Sequence, residues 1–390
     1  MTRVLPLLLL CACAGSLVDH NDPALTGNVT CEDGTFKIDG VCRNATRLSA
    51  GTSHTCAVVA GEARCWGAND RGQLGRAALE QAPSFVPARA AVPGTVSAIA
   101  AGALHTCAIA DGDVWCWGDN SFGQLGLGTV GGTFATPQKV NLSGASLLAA
   151  GRSHTCAVTA TEMRCWGRND SGQLGNAATL PEAPRPEPTQ VVGVGVPVDI
   201  AAGNEHTCAV TSGVLCWGNN GAGQLGINVS GGAYSTPTLI SSSSLNGASF
   251  VGLGANHSCA GTVANTLSCW GANGVYQVDT SGQDQKSPRP VPVASHAVAA
   301  GTGHTCAISP GQRLNCWGLN TSFQLGNPTT EYDPVDVGLA DVSWVAAGSK
   351  HTCAIASGKT LCWGLNDRGQ LGVDNASTPS TATPTAVSAH

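Results

Sequence analysis

Three kinds of chemically capable side chain recur along this chain at fixed spacing. A His-Thr-Cys or His-Ser-Cys triplet begins at His54, His105, His154, His206, His257, His304 and His351. Imidazole is a common transition-metal ligand, and seven equivalent copies would form a ring. Successive copies stand a whole structural unit apart, however, and two rings must each come within about 2 Å of an ion to share it. The expectation is therefore structural: each imidazole bonds a backbone group in the turn after Ala-Gly, and neither metal nor other cofactor is bound. Each triplet is followed by Cys-Trp-Gly, which places Trp66, Trp117, Trp166, Trp217, Trp270, Trp317 and Trp363 in equivalent positions. Exposed, these indoles would stack on sugars; buried, they would pack between neighbouring units, which their repetition in every copy favours. The Gly-Gln-Leu-Gly runs that come next lack the strand, helix and lysine context of a phosphate loop and read as turns. No Ser/His/Asp set or carboxylate pair stands out from the repeat, so catalysis is not expected.

The elements that place these residues follow from the repeat. The triplets are separated by 51, 49, 52, 51, 47 and 47 residues, a period typical of blades and solenoid units. Within one unit, two strand-length runs flank a tight turn. In the second copy the turn is Asp111-Gly112, a strong two-residue hairpin signal. Cys107 and Cys116 are equidistant from it and so face each other across an antiparallel pair. Directly opposed, non-hydrogen-bonded positions are about 4.5 Å apart at Cα, within disulfide reach. The same arithmetic pairs Cys56 with Cys65, Cys156 with Cys165, and Cys353 with Cys362. Cys208–Cys216, Cys259–Cys269 and Cys306–Cys316 differ by one residue, which a changed turn absorbs. Two further strands are expected before each hairpin, as in Thr136–Val140 followed by Leu147–Gly151, giving four per unit. Seven such units predict an all-β, seven-bladed β-propeller with one hairpin disulfide per blade. The C-terminal Pro384–Val387 resembles a unit-opening strand that the first copy lacks, so it is expected to join the first blade and close the ring.

Composition fits this reading. Gly 51 and Pro 20 with only 11% charged residues describe a turn-rich chain, and a net charge of −6 without Lys/Arg runs argues against nucleic acid as a partner. Residues 1–12 have the character of an export signal: Arg3, then an apolar run from Val4 to Leu10. Leu10-Cys11-Ala12-Cys13 resembles the bacterial lipobox, which implies a lipid on Cys13 and anchorage in the outer membrane or at the cell surface. The alternative is an ordinary signal cut near Ala14 or Ser16. Of the eighteen cysteines, Cys11 and Cys13 are then accounted for, and the remaining sixteen pair. A polar tether is expected over 13–30, a small hairpin closed by Cys31–Cys42 over 31–43, and the propeller over 44–390. Glu32, Asp33 and Asp39 are too few to define a calcium site.

The pattern Ala-Gly-x-x-His-Thr-Cys-Ala-Val, then Cys-Trp-Gly-x-Asn-x-x-Gly-Gln-Leu-Gly, resembles the repeat of the regulator of chromosome condensation family, in particular its Cys-containing exported bacterial subgroup. The resemblance covers about residues 45–390 and implies the seven-bladed fold. The family spans a nuclear exchange factor, a plant photoreceptor and a secreted bacterial enzyme inhibitor, so it does not fix the function. The photoreceptor's Gly-Trp-Arg-His-Thr segments are replaced here by Thr52-Ser53, Ala103-Leu104 or Arg152-Ser153 before the His.

Function is expected where the repeats differ. Gly131-Gly132-Thr133-Phe134 and Gly231-Gly232-Ala233-Tyr234 are parallel insertions with an aromatic tip. The fifth unit departs from the motif at Val275-Tyr276-Gln277-Val278. The sixth carries Phe323 where others have Gly, with Tyr332 beyond, and Trp115 and Phe122 occur in one blade only. Aromatics anchor protein interfaces, so these seven residues are the candidate contacts for an unidentified envelope or secreted protein, with the chain acting as a monomer. The competing reading is a lectin-like module for surface polysaccharide or peptidoglycan.

Overall fold

The computed structural model describes residues 31–39, 41–76, 82–329, 332–373 and 378–388. Seven four-stranded antiparallel sheets span residues 45–89, 96–143, 145–190, 199–239, 248–291, 297–336 and 342–386. In blade one the strands run outward from the central channel as Ala45–Ala50, His54–Val59, Glu62–Gly67 and Ser84–Arg89. The predicted hairpin is present in every blade, and Cys56 lies opposite Cys65 and Cys107 opposite Cys116. All seven hairpin disulfides form, with Cα–Cα separations of 4.0–4.2 Å. With Cys31–Cys42 they pair every cysteine among the described residues; Cys11 and Cys13 lie outside them.

Two expectations about boundaries are corrected. The strand expected to open a unit is the outer strand of the blade before it: Thr133–Ser143 pairs with Asp113–Asp119, not with the hairpin that follows. Accordingly, Ser380–Ala386 completes the last blade by pairing with Lys359–Leu365, and the first blade takes its outer strand from its own repeat. Each blade is thus one contiguous stretch of chain, and among the described residues no strand is exchanged to close the ring.

Side chains at the seams hold the blades together. The main-chain carbonyl of Gln73 in blade one accepts hydrogen bonds from Trp117 Nε1 (2.8 Å) and Thr106 Oγ1 (2.8 Å) of blade two. His54 Nε2 meets the same Thr106 hydroxyl at 2.9 Å. Because that hydroxyl donates its proton to the carbonyl, it accepts from the imidazole, which fixes the Nε2–H tautomer. The arrangement recurs at every seam, with Ser258 replacing Thr in blade five, and ends with His351 on Thr55 and both Thr55 and Trp66 on Gln370. The imidazole partner is therefore a hydroxyl of the next blade rather than the expected backbone group. The indoles lie between blades as expected, each clustered with the disulfide of the blade before it, as Trp117 is with Cys56 and Cys65. All seven His and all seven of these Trp are fully buried.

The glycine before each triplet is required by space. A Cβ on Gly151 would lie 2.2 Å from His154 Cε1 and 2.4 Å from the Gly203 carbonyl oxygen. Equivalent contacts link Gly51, Gly102, Gly151, Gly203, Gly254, Gly301 and Gly348 into a closed circuit at one mouth of the channel.

The last seam carries an extra element. Strands Phe36–Ile38 and Val41–Arg43 form the predicted N-terminal hairpin. Phe36 is fully buried against Trp66, with ring centroids 6.3 Å apart, in a cluster that also holds Ile355 and Val387 of blade seven. Gly34 N–H donates to the Val387 carbonyl (2.6 Å), Thr360 N–H donates to that of Gly34 (2.8 Å), and Glu32 pairs with Lys359 at 2.8 Å. That ammonium holds the Glu32 carboxyl below its usual range. The small hairpin thus rivets the first blade to the last.

Burial drives the imidazoles down to about 4 at His54, His154 and His257, and to about 3 at His105, His206, His304 and His351, where neighbouring imidazoles add a second, smaller depression in each case. Between pH 6.5 and these values the unfolded chain binds up to seven protons that the folded chain refuses, so stability falls as pH falls. Asp199, raised to about 6 by burial, acts in the opposite sense but with one proton. Each histidine contributes about 1.4 kcal/mol per pH unit. Denaturant midpoints should be level from pH 8 to 7 and then fall steeply from pH 6.5 towards 4; a level profile down to pH 4 would mean that the folded rings take up protons. Separately, Gly151→Ala should destabilise by about 2 kcal/mol or more through overpacking, measured by the same denaturation.

Candidate partner-binding face

The Ala-Gly-x-x turns and the loops containing Gln-Leu-Gly emerge at the same end of every blade, so one face of the ring carries both variable regions. The loops share one construction. Asn120 Oδ1 accepts from Leu125 N–H at 3.1 Å, and Gln124 Oε1 accepts from Phe122 N–H at 2.8 Å. Gly123 and Gly126 take φ of +75° and +74°, the left-handed region that favours glycine. The fifth unit, whose sequence departs from the motif, keeps this frame: Asn273 Oδ1 accepts from Val278 N–H (2.9 Å) and Gln277 Oε1 from Val275 N–H (3.1 Å).

Within that frame Tyr276 and Phe323 adopt φ of +64° and +65° where five blades have glycine. A bulky residue there is a true conformational outlier. In other blades the space beside this position is closed: a Cβ on Gly72 would lie 2.6 Å from Ala135 Cα of the next blade's outer strand, and one on Gly123 2.7 Å from Pro186 Cα. Beside Tyr276 stands Tyr332, with ring centroids 4.0 Å apart. Phe323 and Tyr332 remain 36% and 49% exposed and Tyr276 is half-buried; Tyr276 and Tyr332 touch, and Phe323 occupies the equivalent place in the next loop, so blades five and six carry an aromatic group on this face.

The other candidates fall elsewhere. Phe122 lies on the same face but on blade two, beneath the Arg168 guanidinium at 5.2 Å. Phe134 and Tyr234 start outer strands opposite Gly118 and Gly218 and are half-buried in blade seams. Trp115 is mid-strand, half-buried against the seam between blades one and two. The seven aromatics therefore form no continuous ring. Beside Phe122 lies a groove that sequence reasoning missed, about 260 Å³ in volume, bordered by Arg71, Leu104, Arg152 and Arg168. Its signal was available: Leu104 is the one large apolar residue among the fourteen that precede the seven triplets within the Ala-Gly-x-x turns.

Among the described residues no group of three or more His, Cys, Asp or Glu is placed to hold a metal, and no helix is long and apolar enough to cross a membrane. Eight disulfides place the folded chain in an oxidising compartment.

Contiguous blades sealed by a His–Thr–Gln–Trp relay define a seven-bladed propeller built from a single repeated unit. The chain belongs to the RCC1-like domain family, whose model matches residues 25–354. The Ultraviolet-B receptor UVR8 of Arabidopsis thaliana is 43% identical over 86 residues, 21% of this chain and 19% of that protein. The regulator of chromosome condensation of Drosophila melanogaster is 36% identical over 98 residues, 24% and 18% respectively. The match therefore spans about a fifth of each relative's length. Among solved structures, human WBSCR16 superposes with a TM-score of 0.75 at 22% identity, covering 84% of this chain and 94% of that one. Prp20p of Saccharomyces cerevisiae gives 0.72 at 21% identity, covering 89% and 87%. At these identities the superpositions establish the fold.

Left-handed backbone costs a bulky side chain about 1–2 kcal/mol relative to glycine. Phe323→Gly should therefore leave stability unchanged or raise it by about 1 kcal/mol in urea unfolding. A loss of 2 kcal/mol or more would make Phe323 a packing residue rather than a surface anchor.

Proposed function

We propose that this chain is an exported binding platform, held at a bacterial cell envelope by a lipid on Cys13, that captures a protein through its loop face. The observation carrying this reading is the pair of aromatics kept at left-handed backbone, Phe323 exposed and Tyr276 against the exposed Tyr332: stability alone would select glycine at 276 and 323, the residue the other five blades carry. Large aromatics presented on a fixed backbone bind at low entropic cost and dominate interface energetics. Prp20p, which shares the fold, is described by its binding to Gsp1p and histones. The disulfides and the signal-like residues 1–12 support export. Should the partner be a secreted or envelope hydrolase, capture would act as inhibition.

Immobilised oxidised protein should retain one envelope protein from its host stoichiometrically, and Tyr276→Ala/Phe323→Ala/Tyr332→Ala should weaken that binding by at least about tenfold. Undiminished affinity in the triple variant would remove the patch from the site. Retention of glycan alone, displaced by sugar, would establish a lectin instead.

A further inference from the structure

We propose that the groove over blades one to three receives an extended acidic segment of a partner protein, one apolar side chain resting on Leu104 and Phe122 and flanking carboxylates held by Arg71 and Arg152. This rests on the platform reading but concerns a surface separate from the aromatic patch.

The floor and the rim of the groove are chemically distinct. Leu104 is 37% exposed at the tip of the blade-two turn, and Phe122 lies beside it in the blade-two loop. A large apolar side chain exposed at that turn adds nothing to the seams, which are complete without it. Phe122 is held in place from one side by Arg168, which stacks on it and is itself neutralised by Asp170 (2.5 Å) and Glu205 (3.0 Å).

Charge at the rim sets the ligand's sign. Arg71 and Arg152 are exposed and, alone among the groove's cations, have no carboxylate within ion-pairing distance among the described residues. The remaining acid of the groove, Asp119, is buried and occupied: it accepts from Ser121 Oγ at 2.6 Å and from Gln124 Nε2 at 2.7 Å. The cations with unfilled donors therefore come from blades one and three and flank the apolar floor supplied by blade two. An anion–apolar–anion pattern complements that order, and Glu or Asp on either side of a Leu or Phe supplies it in an extended peptide. Guanidinium–carboxylate pairs suit such a site because the planar fork binds carboxylate bidentately. Arg71 is presented on a fixed backbone, since its N–H donates to Gln73 Oε1 at 2.8 Å.

The test uses the full oxidised chain and a fluorescein-labelled, end-blocked peptide of sequence Asp-Glu-Leu-Glu-Asp, with Asn-Gln-Leu-Gln-Asn as control, read by anisotropy. The acidic peptide should bind, weakening as salt rises, and the amide control should bind at least about tenfold more weakly. Arg71→Glu/Arg152→Glu and, separately, Leu104→Asp should each lose about tenfold or more, while the triple aromatic variant binds normally. Arg71, Leu104 and Arg152 are exposed, and unchanged thermal unfolding of all the variants will show that folding is intact. Equal binding of the two peptides, or full binding by the double charge reversal, overturns the proposal, as does no binding of the acidic peptide. Envelope-partner capture that survives the charge reversal yet fails in the aromatic variant removes the groove and leaves the platform. Peptide binding without capture of any partner does the reverse.

Discussion

Two donors from one blade converge on a single main-chain oxygen of the blade before it, and the rest of the molecule is arranged around that meeting. The glutamine carbonyl has two lone pairs, and an indole N–H and a hydroxyl fill them. The hydroxyl in turn has room for one imidazole N–H from the preceding blade. All these groups are buried, where an unpaired polar atom costs about 1–3 kcal/mol. Each residue type in the relay is therefore held by its neighbours: Thr or Ser because the link must both donate and accept, His because it must donate and stay neutral, Trp because it must donate while filling the seam beside a disulfide. Imidazoles donate forward to the next blade, hydroxyls and indoles donate back to the one before, and the pattern closes on itself at His351 and Thr55.

That relay also shapes the surface. The glutamine whose carbonyl seals the seam uses its side-chain oxygen to fix the N–H of the residue two places earlier, as with Arg71, Phe122, Val275 and Arg368. The most variable residues of the loops thus sit on backbone that is tied to the core by the least variable one. Side chains at these positions can change identity without disturbing the frame, which is how one scaffold presents a basic group, Arg71, on blade one and an aromatic one, Phe122, on blade two.

Most of the architecture was legible in the sequence because it depends on local arithmetic. Cysteines equidistant from a turn must face each other, so the disulfides followed from counting. The boundary of a blade was not legible: a strand such as Thr133–Ser143 lies between two hairpins at comparable distance along the chain, and only the hydrogen bonds to Asp113–Asp119 decide which it joins. The same ambiguity misplaced the C-terminal strand. The histidine partner was missed because it lies some fifty residues away, as Thr106 does from His54. At the candidate site, Tyr276 and Phe323 stood out by replacing glycine, whereas Arg71, Leu104, Arg152 and Phe122 come from three repeats and become a group only when the blades are set side by side.

Each disulfide joins cysteines 8 to 11 residues apart. Sixteen cysteines admit about two million pairings, yet here each finds its correct mate in the nearest cysteine along the chain. A polypeptide emerging end first into an oxidising compartment could close every bridge in order, one hairpin at a time, before the next pair of thiols arrived. Oxidative maturation would then require little reshuffling, and the one event that needs the whole chain, the meeting of first and last blades, would come after all the covalent bonds have been made.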